Sequence, residues 1–290
     1  MEYDLTNVSA VRALLASHGF HFSKALGQNF LVDPTVSPRM AELCGADENI
    51  GVLEIGPGIG VLTAELAERA ARVVAVELDA RLMPVLAQTL AGIENVKLVN
   101  ADVLKIDLLQ LIEQEFAGLD VVCCANLPYY ITSPVIMSLL ERRLPLGSVT
   151  VMVQREAAMR LCAPPGRREA GAVSCAVSYY SEPHLLFDVP SVSFMPRPKV
   201  DSSVIRLDIR KCPPVRCGDE RLMFRIIRAA FNQRRKTLLN ALSAGLSLPK
   251  EQVGQALDEA GISRSERGER LTLEDFARLS DIPCIRGVPQ

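Results

Sequence analysis

Three glycines in five residues, Gly56-Pro57-Gly58-Ile59-Gly60, separate a short, mostly apolar run at 52–55 from helical periodicity over 61–70. A run this short reads as a strand, and the glycines allow a sharp strand-to-helix turn with room for a ligand against the main chain. The same rhythm continues. A run at 73–76 ends in Glu77, a helix is expected over about 81–90, and a run at 97–99 precedes Asp102. A further helix over about 106–116 leads to a run at 121–124 that ends at Asn126, and 148–153 is a fifth run. Short β runs alternating with helices predict an α/β fold with a parallel sheet covered on both faces.

The rhythm changes after residue 180. Runs at 185–189 and 203–209 are joined by a Pro-rich loop without a helix, which predicts an antiparallel pair at the sheet edge. Pro213-Pro214 marks 211–217 as a linker, and only helical patterns follow. The expected domains are therefore 1–210, with an N-terminal helical extension, and a small all-helical domain at 218–290. In the extension, Thr6 or Asn7 caps a helix that runs through Ser17 to Gly19, and Asp33-Pro34 starts another.

The glycines alone equally suit a tight βα turn with no ligand. Glu77 and Asp102 at the next two strand ends favour a nucleoside-type cofactor. A carboxylate at Glu77 can accept both hydroxyls of a ribose, and Asp102 can accept an adenine amino group. The Gly-x-Gly-x-Gly spacing lacks the third-glycine position of dinucleotide binders, and no diphosphate-binding basic residue is evident, so S-adenosylmethionine fits better than NAD. Glu54 has a plainer reading, as a buttress that accepts N–H groups of the loop. The fourth run delivers Asn126-Leu127-Pro128-Tyr129-Tyr130, which resembles the motif of methyltransferases acting on exocyclic amino groups. Asn126 and the Leu127 carbonyl would accept from the amino group, Pro128 would stiffen that carbonyl, and Tyr129 would stack on the base.

With these motifs in order, the chain resembles the KsgA/RsmA ribosomal RNA adenine dimethyltransferases of bacterial type. The likeness runs through Lys24-Ala25-Leu26-Gly27-Gln28-Asn29-Phe30-Leu31, 53–60, 76–79, 100–104, 126–132, Gln154-Arg155-Glu156, 194–202 and 231–242. It implies a Rossmann-like class I S-adenosylmethionine methyltransferase sheet with a small C-terminal all-helical domain. It also implies dimethylation of two adjacent adenosines near the 3′ end of small-subunit (16S) rRNA during ribosome biogenesis. By the same resemblance, Asn29, Leu31, Gly56, Glu77, Asp102 and Asn126 hold the cofactor, and the glycine turn adds Gly58 to them. Phe194 is the second aromatic, facing Tyr129 across a base drawn out of its helix. One stretch departs from the family: Arg168-Glu169-Ala170-Gly171 stands where Lys-x-Tyr-Gly is frequent.

A net charge of −2 hides an asymmetry, because 221–236 holds six basic residues and no acid. Arg221, Arg225 and Arg228 share a helical face and Arg234, Arg235 and Lys236 follow, an expected RNA-contacting surface on the assembling small ribosomal subunit. The eight cysteines include no CxxC and the three histidines complete no zinc spacing, so reduced thiols and no metal are expected. No leader pattern or long apolar segment is present, which points to a cytoplasmic protein away from membranes, and no apolar dimer stripe argues against a monomer. Three rivals remain: a large-subunit rRNA dimethylase, a DNA adenine methyltransferase, and an assembly factor that keeps the fold without catalysis.

Overall fold

A strand covered on both faces needs an uninterrupted apolar run, and the runs identified above form the centre of a sheet. The computed structural model describes residues 4–23 and 27–286. Lys24, Ala25 and Leu26 of the first family motif lie outside them. The strands are β1 (Phe30–Leu31), β2 (Ile50–Ile55), β3 (Arg72–Glu77), β4 (Val96–Asn100), β5 (Asp120–Asn126), β6 (Ser148–Gln154), β7 (Ser181–Val189), β8 (Phe194–Met195) and β9 (Ser202–Ile209). Seven of them form one sheet in the order β4-β3-β2-β5-β6-β9-β7. The strands from β4 to β6 pair in parallel, and β9 pairs antiparallel with β6. In β2, β3 and β5 every residue between the first and the last is buried, whereas β4 and β7 at the edges are mixed.

Two apolar clusters form among the described residues. One gathers Val36, Met40, Leu62, Leu66 and Val204, the other Val11, Leu14, Ile59, Val85 and Leu86. Asn7 caps the first helix, Val8–Ser17, by accepting from the Ser9 and Ala10 N–H groups at 2.9 and 3.2 Å. The pairing of β1 with β8 was not anticipated. Phe30 stands opposite Met195 and Leu31 opposite Phe194. Because a strand alternates its faces, Phe30 and Met195 enter one core while Leu31 and Phe194 enter the other.

The chain divides into two compact units, 1–158 with 184–209, and 159–183 with 210–290. This corrects the expected boundary, which placed 159–183 in the sheet domain. The second unit holds the helices Ala172–Tyr180 and Glu220–Asn232 together through aromatic contacts. Tyr179 and Tyr180 donate to Glu220 at 3.0 and 2.9 Å, and their rings lie 5.2 and 5.6 Å from that of Phe224. Asp219 caps the second of these helices by accepting from Leu222 N–H at 3.0 Å. Among the described residues no helix is long and apolar enough to cross a membrane.

The sheet has one very tight spot. A Cβ added at Gly51 would lie 2.3 Å from the ring of Phe116, itself 3% exposed. Gly51→Ala should therefore destabilise the protein by about 1–3 kcal/mol through overpacking, read as a lower denaturation midpoint. An unchanged midpoint would show that the ring yields freely.

Candidate active site at the strand ends

Parallel strands in step end together, and β2, β3 and β5 do so at one wall of a cavity of about 250 Å³. Its lining includes the sheet-domain residues expected to meet the cofactor or the target amine: Asn29, Leu31, Gly56, Gly58, Glu77, Asp102, Asn126, Leu127, Pro128, Tyr129 and Phe194. The glycine turn is anchored by the Gly56 N–H, which donates to the Val76 carbonyl at 2.9 Å. Gly58 has φ +63°, and a Cβ there would press on the Phe30 ring at 3.2 Å. Both facts favour glycine at that position.

Glu77 is 6% exposed, and its carboxylate accepts from the Asp79 N–H at 2.8 Å and the Gly58 N–H at 3.3 Å. Burial raises its pKa, and these two hydrogen bonds pull it part of the way back. Asp102 differs. The Leu104 N–H at 3.0 Å and the Lys105 ammonium at 3.2 Å keep its pKa below the usual value. One wall thus presents two carboxyl groups, the first deep and the second near the surface.

Glu54 also lines the cavity, but not as the expected buttress. It is 1% exposed and its Oε2 has no hydrogen-bond partner. Burial pushes its pKa up to about 8, the Thr63 hydroxyl opposes this, and the negative charge of Glu77 reinforces it. Burial thus favours the protonated form of Glu54.

Asn126 closes β5, and Tyr129 follows in the turn. The Tyr129 hydroxyl lies 2.8 Å from Ser202 Oγ, and Ser202 is fully buried at the start of β9. Phe194, 5% exposed, reaches the same cavity from β8. Described residues ahead of β1 are held by hydrogen bonds. Gln28 donates to Asp79 at 2.8 Å and accepts from the Ser23 N–H at 3.1 Å, and the Asn29 amide donates to the Gly27 carbonyl at 2.9 Å. Sequence reasoning assigned no role to Gln28, Asp79, Tyr130 or Ser202. Asp79, two residues beyond Glu77, was the available signal. Tyr130 is half exposed and lies against Gly27.

The basic segment lies in the second unit. On its helix Met223, Ile226 and Ile227 turn inward, while Arg221 and Arg228 are exposed and Arg225 is half-buried. Arg235 and Lys236 are exposed. Arg234 is engaged within the unit, donating to the Arg168 and Ala170 carbonyls at 2.9 and 3.3 Å and meeting Glu269 at 3.5 Å. The stretch that departs from the family pattern is thus where Arg234 is held. Among the described residues no cluster could hold a metal ion.

A sheet with a glycine turn, two acidic strand ends and Asn-x-Pro-Tyr on one cavity defines a class I methyltransferase. Residues 19–283 match the family described as ribosomal RNA adenine dimethylase, and the chain belongs to that family. It is 47% identical to ribosomal RNA small subunit methyltransferase A of Geobacillus thermodenitrificans, over 99% of this chain and all of that one. To the protein of the same name in Shouchella clausii it is 48% identical, over 96% and 95%. A dimethyladenosine transferase from Plasmodium falciparum superposes with a TM-score of 0.72 at 25% identity, over 86% of this chain and 95% of that one. The 23S rRNA methyltransferase ErmE gives 0.65 at 28%, over 90% and 100%. The protein is an rRNA-modifying methyltransferase.

The raised Glu54 pKa has a consequence for the ligand-free chain. The folded state keeps this proton while the unfolded state releases it above about pH 4.5, so stability falls as pH rises from there towards about 8. Glu54→Gln should remove this part of the slope and leave the variant more stable than the parent at pH 8, in urea titrations at pH 5 and pH 8. Parallel pH dependence of the two chains would contradict a buried neutral carboxyl.

Proposed function

We propose that the enzyme transfers methyl groups from S-adenosylmethionine to N6 of two adjacent adenosines near the 3′ end of small-subunit rRNA. The observation that carries this reading is that Asn126-Leu127-Pro128-Tyr129 lines the same cavity as Glu77 and Asp102. The cofactor suits these residues. Glu77 offers acceptors to a ribose diol, Asp102 offers one to an adenine amino group, and the glycine turn leaves main chain open beside them. Asn29 and Leu31 complete the wall. When bound, the cofactor supplies an electrophilic methyl group on a sulfonium sulfur.

The chain's own task is to present the target amine. The lone pair of adenine N6 is delocalised into its ring, so it must be turned towards the electrophile. Asn126 Oδ1 and the Leu127 carbonyl accept its N–H groups and favour a pyramidal nitrogen. Pro128, without an N–H of its own, stiffens that carbonyl. Tyr129, held by Ser202, and Phe194 sandwich the extruded base. Water can take the proton after transfer, so no strong base is required. The substrate is an assembling small subunit, met by a monomer of this chain in the cytoplasm. Arg221, Arg225, Arg228, Arg235 and Lys236 meet its phosphates, while Arg234 braces the segment that carries them.

Tritiated methyl transfer to undermethylated small subunits, followed by nucleoside analysis, tests the reaction. The expected product is N6,N6-dimethyladenosine, with Asn126→Ala reducing the rate by about 100-fold or more. No incorporation into small subunits, large subunits or DNA would leave an RNA-binding assembly factor. For the basic segment, replacing Arg221, Arg228 and Arg235 with Gln should weaken RNA binding and flatten its dependence on log salt by about 0.7–0.9 per lost phosphate contact. An unchanged slope in filter binding would place the RNA elsewhere.

A further inference from the structure

The proposed function gives roles to Glu77, Asp102 and Asn126 but none to the carboxyl buried deepest in the cavity wall. Glu54 sits in β2, opposite Ala75 of β3 and Cys124 of β5, in the centre of the sheet. It lines the cavity, is 1% exposed, and leaves Oε2 without a hydrogen bond. The groups acting on it are Glu77 from β3, Thr63 from the helix Val61–Ala67 and Cys44 after the helix Val36–Leu43. None of these is a cation. Cys123 and Cys124 from β5 are fully buried and their thiols are pushed up, which keeps them neutral, and Arg206 acts on Cys44. A buried carboxyl without a cationic partner either keeps its proton or needs a positive charge from outside the protein.

We propose that Glu54 is a charge-sensing positioning residue that ionises opposite the cationic sulfonium cofactor and regains its proton with the neutral thioether product. The inference rests on the S-adenosylmethionine reading. Substrate and product share the adenosine and the amino acid, and differ by one methyl group and one positive charge. Glu77 and Asp102 meet the shared part, so they do not separate the two ligands. An ionisable group in the wall does, because the cation repays the cost of its ionisation and the thioether does not. With its pKa raised to about 8 by burial, Glu54 must lose a proton at pH 7 for the cation to bind. The same linkage favours exchange of spent product for fresh cofactor between the successive methylations.

Isothermal titration of the full chain, in two buffers of different ionisation enthalpy, tests the proposal. At pH 7, S-adenosylmethionine should release about one proton more than S-adenosylhomocysteine. The α-amino group of each ligand titrates in a nearby range, so Glu54→Gln is the reference. Relative to it, the parent's affinity for the sulfonium should tighten about tenfold per pH unit from pH 6 to 8 and then level. The variant should also lose most of the preference for cofactor over product. Equal proton release by both ligands, or release that survives Glu54→Gln, would overturn the proposal. If the variant does not fold, the comparison of the two ligands on the parent still decides. Failure of either ligand to bind the parent would instead overturn the cofactor reading beneath it.

Discussion

The site depends on the in-step parallel register of three strands. Ile55 of β2 stands beside Val76 of β3 and Ala125 of β5, so Gly56, Glu77 and Asn126 all fall one residue later, at a single edge. Parallel strands all point their C-terminal ends the same way, and the hydrogen bonds that bring them together fix how far apart the ends lie. A slip of one residue in any of them would turn its side chains to the other face. The apolar runs in these strands therefore do two things. They bury the sheet, and they set the spacing between the groups proposed to hold the cofactor and those proposed to hold the amine.

The second constraint is the small ribbon of β1 and β8. It joins a loop near the N-terminus to the segment that carries Phe194, and its four side chains are divided between the two cores. Ser193 strengthens the join by donating to Asp33 at 2.8 Å, as does the Val32 N–H, which donates to the Ser193 carbonyl at 2.9 Å. Asn29 and Phe194 are thereby fixed with respect to each other on one cavity wall, although far apart in the chain.

Much of this was legible in the sequence, because the sheet's centre is written in mostly apolar runs and the candidate site residues lie at or just beyond their ends. Glu77, Asp102 and Asn126 could be placed from that pattern alone. Asn29, Leu31 and Phe194 could not. Leu31 and Phe194 lie in strands two residues long, too short for any periodicity, and Asn29 just precedes one, so all three were named only through family resemblance. The assignment of 159–183 was missed for a related reason. The contacts that bind it to the second unit, Tyr179 and Tyr180 on Glu220 and Phe224, are tertiary and leave no local mark. The unpaired state of Glu54 was likewise invisible, since a carboxylate that accepts loop N–H groups and a buried neutral acid have the same sequence.

The central claim is that the strand ends form a nucleoside cofactor site, and equilibrium binding of S-adenosylhomocysteine to the parent and to Glu77→Ala tests it most directly. The account predicts one site per chain, with affinity reduced about tenfold or more when the ribose-facing carboxylate is removed. Saturable binding of unchanged affinity in the variant would contradict it, and would mean that the ligand sits away from the ends of β2, β3 and β5.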